Sequence, residues 1–209
     1  MEVVILPGSK QIASVAADAV EALLRRKPDA VLGLATGSTP LPVYAELAVR
    51  HGRGDLDFSQ ARAFALDEYV GLPAGHPESY REVVAREFTG LVNISPANVH
   101  VPDGAAADIP AACRAYEAAI RDAGGVDLQL LGVGTDGHIG FNEPGSSLAS
   151  RTRIKTLIEQ TRRDNARFFG SLADVPHHVL TQGLGTILDA RHVILIATGA
   201  QKAQAVRDL

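Results

Sequence analysis

The sequence predicts a single α/β domain, a mostly parallel β-sheet with helices on both faces. Three observations predict it. Short apolar runs recur at Val3 to Leu6, Ala30 to Ala35, Ala61 to Leu66, Asn98 to Val101, Val126 to Leu131 and His192 to Ala197. Helix-length amphipathic segments separate most of them, the rhythm of parallel strands joined by crossover helices. The chain's 209 residues, 46% hydrophobic and 21% charged, have the balance of one soluble domain with a sizeable core. Such an arrangement is Rossmann-like.

The elements follow in order. Ser9 offers an N-cap, and Ile12, Val15, Ala16, Ala19, Val20 and Leu23 keep helical spacing up to Arg25, Arg26 and Lys27, which suit a helix C-terminus. A second helix is expected from Thr39, with Pro40 in its first turn, to a stop near Gly52. Others are expected over Ser79 to Phe88, Asp108 to Asp122 (closed by Gly124 and Gly125) and Thr161 to Phe169, the last opening on a capping-box-like Thr161-Arg162-Arg163-Asp164. After the run at 192 to 197, Thr198-Gly199 leads into a helix that reaches Leu209 without a stop signal. The chain therefore reads as a shortened form of a longer protein.

Charge and cysteine content exclude several classes. A formal net charge of −4 without Lys/Arg runs argues against nucleic-acid binding, which depends on neutralising phosphates. Cys113, the single cysteine, lies in an alanine-rich helical stretch and reads as a small buried hydrophobe. No apolar run approaches the roughly 18 residues that a membrane span needs, and the first residues lack a basic leader. A cytoplasmic location is expected.

In open α/β sheets ligands bind outside the carboxyl ends of the strands, so residues that follow the apolar runs carry extra weight. Three ends stand out. Thr36-Gly37-Ser38-Thr39 is small and hydroxyl-rich at a helix N-terminus, which fits a phosphate site or a plain capped turn, and no Walker Gly-Lys-Ser/Thr follows. Asp67-Glu68 follows the third run; either is a loop acid or a base, and Asp67 is preferred as the first residue off the strand. The segment 132 to 147 holds five glycines, Asp136, His138 and Glu143. Its Gly132-x-Gly134-x-x-Gly137 imitates a dinucleotide fingerprint, but Gly140, Pro144 and Gly145 would break the helix that fingerprint needs. His138 reads as an acid–base group whose charge and tautomer the flanking carboxylates set, with a structural histidine or a metal ligand as alternatives. The other histidines read as surface or turn residues.

These loops resemble those of the glucosamine-6-phosphate deaminase (glucosamine-6-phosphate isomerase) family. The likeness rests on Leu-Gly-Leu-Ala-Thr-Gly-Ser-Thr-Pro at 32 to 40, Leu-Asp-Glu-Tyr-Val-Gly-Leu at 66 to 72, His-Pro-Glu-Ser-Tyr at 76 to 80 and the long motif at 132 to 153, in the right order along essentially the whole chain. The resemblance implies conversion of D-glucosamine 6-phosphate and water to D-fructose 6-phosphate and ammonium, without a redox cofactor or catalytic metal. It implies Asp67 as the base on substrate carbon and His138 as the ring-opening proton shuttle, oriented by Asp136 and Glu143. For the phosphate it implies Arg167 and Lys202 with Gly37, Ser38 and Thr39, under a lid formed by residues 156 to 180.

The resemblance further implies a homo-oligomer. Some members are hexamers activated by N-acetylglucosamine 6-phosphate between subunits, and Ser146, Arg153 and Lys155 match that allosteric site. The domain, 1–209, would lack a C-terminal segment that relatives carry. Two rival readings are a 6-phosphogluconolactonase-like hydrolase, which shares Gly-x-Asp-Gly-His but not Asn142-Glu143-Pro144, and a non-catalytic sugar-phosphate sensor.

Overall fold

Five of the six apolar runs become the five strands of one parallel sheet: β1 (Val31–Leu34), β2 (Arg62–Ala65), β4 (Val99–His100), β5 (Leu128–Gly132) and β8 (His192–Ile196), in the order β4-β2-β1-β5-β8. The computed structural model describes residues 2–208. Side-chain alternation sends Leu32, Leu34, Leu128 and Leu130 toward α1 (Ser9–Arg26) and α2 (Leu41–Gly52), while Val31 and Phe64 meet Tyr116 and Ile120 of α4 (Ile109–Asp122). Helices thus cover both faces, as expected. Tyr44 of α2 stacks on Phe88 at 4.8 Å between ring centroids, and Phe58 meets Phe88 edge-on at 5.6 Å, filling one side of the core with large apolar area.

A second sheet was not legible in the sequence. β3 (Asp67–Tyr69), β7 (His178–Thr181) and β6 (Arg153–Thr156) form an antiparallel sheet in that order, with Asp67 opposite Thr181 and Thr181 opposite Arg153. Gly183, two residues after β7, lies so close to the segment that enters β6 that a Cβ there would sit 2.2 Å from the Ser150 carbonyl. The remaining helices are α3 (Tyr80–Glu87), α5 (Glu159–Phe169), α6 (Leu184–Leu188) and α7 (Ala203–Arg207).

Several boundaries differ from the sequence reading. Gly8, without a side-chain bond, precedes α1, so Ser9 is its first helical residue rather than its cap; the Gly8 carbonyl already accepts from the Ile12 N–H at 3.1 Å. α2 begins one residue beyond the Pro40 turn. α5 starts at Glu159 because the Ile158 carbonyl accepts from the Arg162 N–H, which places Thr161 inside the first turn and leaves no capping box there. Residues 3 to 6 form no strand, and Val3, Val4 and Ile5 are exposed. The helices expected from Ser79 and Asp108 do form, each with that residue as its cap: the Ser79 hydroxyl accepts from the Glu82 N–H at 3.3 Å, and Asp108 accepts from the Ala111 N–H at 2.9 Å. Cys113 is buried in α4, as read. Among the described residues no helix is long and apolar enough to cross a membrane.

From β1 the chain proceeds to β2 and β4 on one side, while β5 and β8 lie on the other. The loops leaving β1 and β5 therefore diverge, and a crevice opens between them at the carboxyl ends of the strands.

Candidate active site

Asp67 is the point where three strand ends meet. It begins β3 two residues after β2, its Oδ1 lies 3.5 Å from the Thr36 hydroxyl at the end of β1, and its Oδ2 lies 3.5 Å from where a side chain on Gly140 would begin. Gly140, with φ of 57°, belongs to the loop that leaves β5. The residue is 3% exposed, and burial, followed by the neighbouring Glu68 charge, pushes its carboxyl up to about 8 against the weaker opposing effect of the Thr36 hydrogen bond. A carboxyl so placed holds its proton near neutrality and gives a strong base once it is lost.

Glu68 is occupied otherwise. Its carboxylate accepts from the backbone N–H groups of Tyr69, Tyr80 and Arg81 at 2.8 to 3.0 Å, which ties the N-terminus of α3 to β3. The choice the sequence left open between the two acids is thereby narrowed: Glu68 anchors a helix, while Asp67 faces a cavity of about 430 Å³.

The loop after β5 is folded around His138. The Gly134 N–H donates to the His138 carbonyl at 2.8 Å, Gly137 takes φ of 94°, and His138 Nδ1 lies 2.7 Å from Asp136 Oδ1. A Cβ on Gly134 would come within 2.3 Å of that ring nitrogen and 2.6 Å of the carboxylate, so only glycine leaves room for the pair. Burial pushes the Asp136 carboxyl up, but the His138 N–H, the His138 charge and a hydrogen bond from Glu143 together hold it below its ordinary value. Glu143 goes the other way, raised by burial and by that same bond to Asp136. An ionised Asp136 can only accept, so Nδ1 of His138 is the donor and Nε2 is left for another partner.

Asp136, His138 and Glu143 each bring a donor atom within 4.8 Å of the others, a spacing that one divalent cation could bridge. The 2.7 Å bond between His138 Nδ1 and Asp136 already uses the lone-pair direction that a metal bound at that nitrogen would need. Replacing Gly134 by alanine is expected to displace the imidazole and lower turnover about 10- to 100-fold, with the far-UV spectrum unchanged; wild-type turnover in the variant would remove this geometry from the chemistry.

The same cavity carries groups suited to an anion. Gly37 has φ of 83°, and among the described residues the N–H groups of Gly37, Ser38 and Thr39 reach no acceptor. Arg167 on α5 and Lys202 beside α7 line the same cavity, and neither has a carboxylate within ion-pair distance among the described residues. The Arg167 guanidinium lies 4.7 Å over the Phe168 ring. Two unpaired cations and free amides at a helix start, all lining one cavity, are groups that can hold an anion. Asp67 and His138 line this cavity as well, whereas Asp136 and Glu143 lie behind His138 and outside its lining.

Sequence reasoning missed the aromatic wall of the cavity. Tyr69 packs on Tyr80 (4.8 Å) and on Phe169 (5.2 Å), and its hydroxyl accepts from Asn165 Nδ2 at 2.9 Å, which fastens α5 over the cavity. Tyr69 sits in the Asp-Glu-Tyr motif, so its position was visible but its partners were not.

Ser146, Arg153 and Lys155 lie outside the cavity lining. The Ser146 hydroxyl donates to the Glu143 carbonyl at 2.7 Å, and Arg153 and Lys155 share one face of β6, where the Lys155 charge bears on Glu143.

The chain matches the family model described as glucosamine-6-phosphate isomerases/6-phosphogluconolactonase over residues 8–209. It is 83% identical to the glucosamine-6-phosphate deaminase of Arthrobacter sp. (strain FB24) over 208 residues, 100% of this chain and 80% of that one. It is 69% identical to that of Mycolicibacterium smegmatis (strain ATCC 700084 / mc(2)155), again over 100% of this chain and 80% of the relative. A solved structure described as a monomeric glucosamine-6-phosphate deaminase superposes with a TM-score of 0.96 at 42% identity, covering 100% of this chain and 86% of that one. A 6-phosphogluconolactonase from Thermotoga maritima shares the fold at a TM-score of 0.73 with 23% identity, covering 96% of this chain and 84% of its own.

The monomeric relative corrects one expectation. A homo-oligomer was inferred from the resemblance to hexameric members, yet the same fold closes its core in a relative described as a single subunit, so the fold itself demands no partner. With that correction, and on the strength of its motifs, fold and full-length relatives, the chain belongs to the glucosamine-6-phosphate deaminase family.

Proposed function

We propose that the protein converts D-glucosamine 6-phosphate and water to D-fructose 6-phosphate and ammonium, with the cavity beneath α5 as its active site. The observation that carries this reading is the meeting of three strand-end loops at Asp67, with an imidazole and two unpaired cations lining the same cavity. The phosphoryl group is held by the amides of Gly37, Ser38 and Thr39 with Arg167 and Lys202. That places the sugar's first two carbons toward Asp67 and His138.

His138, its Nδ1–H donated to Asp136, presents Nε2 to the sugar, takes the proton of the C1 hydroxyl and passes it to the ring oxygen as the ring opens to the C1 aldehyde; the 2.7 Å bond to Asp136 keeps the imidazole oriented. Asp67 removes the C2 proton of the open chain and returns it to C1 through an enolamine. Water then replaces nitrogen at C2, and ammonium leaves. The Tyr69–Asn165 hydrogen bond holds α5 as a cover that excludes bulk water during these steps. A cytoplasmic location fits this substrate, because a phosphorylated sugar does not cross a bilayer unaided.

A release assay tests the proposal: ammonia should appear in proportion to fructose 6-phosphate when glucosamine 6-phosphate is supplied. Hydrolysis of 6-phosphogluconolactone without ammonia release from the amino sugar would select the hydrolase reading. Binding of the sugar phosphate without turnover of either would select the sensor.

A further inference from the structure

A second cleft, about 490 Å³, opens at the other end of β5, among α4, α6 and the segment that enters β6, and shares no lining residue with the cavity described above. Arg114, Glu117 and Arg121 fall at i, i+3 and i+7 on α4, so all three side chains point to one face of the helix. Arg151 completes the rim and pairs with Asp189. Arg114 and Arg121 are exposed and, among the described residues, have no carboxylate within ion-pair distance.

At the floor lies Glu117, 9% exposed. Its Oε1 is saturated, accepting from the Thr152 N–H at 2.8 Å, the Thr152 hydroxyl at 2.5 Å and the Thr186 hydroxyl at 2.6 Å. Its Oε2 receives no hydrogen bond from the described residues. That oxygen, open to the cleft, can accept from a ligand hydroxyl, since an ionised carboxylate can only accept. Two unpaired guanidinium groups above it call for a dianion, which bidentate arginine geometry favours. The two arginines stand about 10 Å apart along the helix, a gap that two extended side chains close from either end above Glu117.

We propose that this cleft binds a small hydroxylated phosphate monoester, its phosphoryl group between Arg114 and Arg121 and a hydroxyl donated to Glu117 Oε2. The ordinary role of such residues, charges on a solvated helix face with Arg121 complementing the helix end, would give no saturable binding.

Calorimetric titration with glycerol 3-phosphate tests it. The titration uses protein carrying Arg167→Gln and Lys202→Gln, in which the anion end of the main cavity is disabled. One saturable site is expected, weakened at least tenfold by adding Arg114→Gln and Arg121→Gln, both exposed and tolerant of change. Those two substitutions in the otherwise unaltered protein should leave deaminase kinetics as they were. Absence of saturable binding, or binding indifferent to the loss of both arginines, overturns the site. Inorganic phosphate should bind several-fold more weakly; equal affinity would overturn the part given to Glu117.

Discussion

Asp67→Asn is expected to lower turnover by about 10³- to 10⁴-fold, the scale of a lost general base, while making the protein harder to unfold. The first effect follows from chemistry: an amide cannot take the C2 proton, yet it keeps the shape that lets a substrate analogue bind. The second follows from burial. Asp67 carries a carboxyl pushed up to about 8 in the fold, against an ordinary value near 3.8. Between those values the folded state holds a proton that the unfolded chain has released, so stability falls as pH rises from about 4 to about 8. The asparagine variant escapes this loss. At pH 8 its advantage should be on the order of a few kcal/mol, read as a rise of several degrees in Tm, and it should vanish below pH 4. Equal turnover in the variant would remove Asp67 from the mechanism; a loss of stability at pH 8 would contradict its buried charge.

The same carboxyl sets the pH profile. The base works ionised, so kcat/KM for the free enzyme should climb about tenfold per pH unit below 8 and level off above it. A bound amino sugar brings an ammonium close to the carboxylate and favours the charged form. The profile of kcat should therefore turn at lower pH than that of kcat/KM. Coincident profiles would mean that the amino group does not approach Asp67.

The parallel sheet and the three loops at its carboxyl ends were legible in the sequence because each strand is an apolar run and each loop begins where the run stops. Two features escaped for physical reasons. β3, β6 and β7 are three or four residues long and include charged residues such as Asp67, Glu68, Arg153 and Lys155, so their pairing depends on partners far along the chain. Which of Asp67 and Glu68 is the base depends on three backbone N–H groups, two of them twelve and thirteen residues away, that occupy Glu68. Arg167 and Lys202 look like ordinary surface charges until the fold brings them to one cavity. They were named only through the family resemblance. The same resemblance carried the oligomer expectation, which no residue of the chain supported on its own.

His138→Gln is expected to slow turnover of glucosamine 6-phosphate by about 10²- to 10³-fold without touching the carbon chemistry. Glutamine retains the polarity and much of the size of the imidazole but cannot carry a proton to the ring oxygen. The step that needs Asp67 alone can be isolated from the other direction. Fructose 6-phosphate with ammonium in heavy water should exchange a C1 hydrogen without any aldose ring being formed. That exchange should be nearly intact in His138→Gln and abolished in Asp67→Asn. The Asp136 carboxylate, held ionised 2.7 Å from Nδ1, predicts a related result: Asp136→Asn leaves the imidazole without an obligate acceptor, frees the wrong tautomer and should slow ring opening in the same selective way. Parallel loss of exchange and turnover in His138→Gln would mean that the imidazole acts on carbon as well, and the division of labour between the two residues would fail.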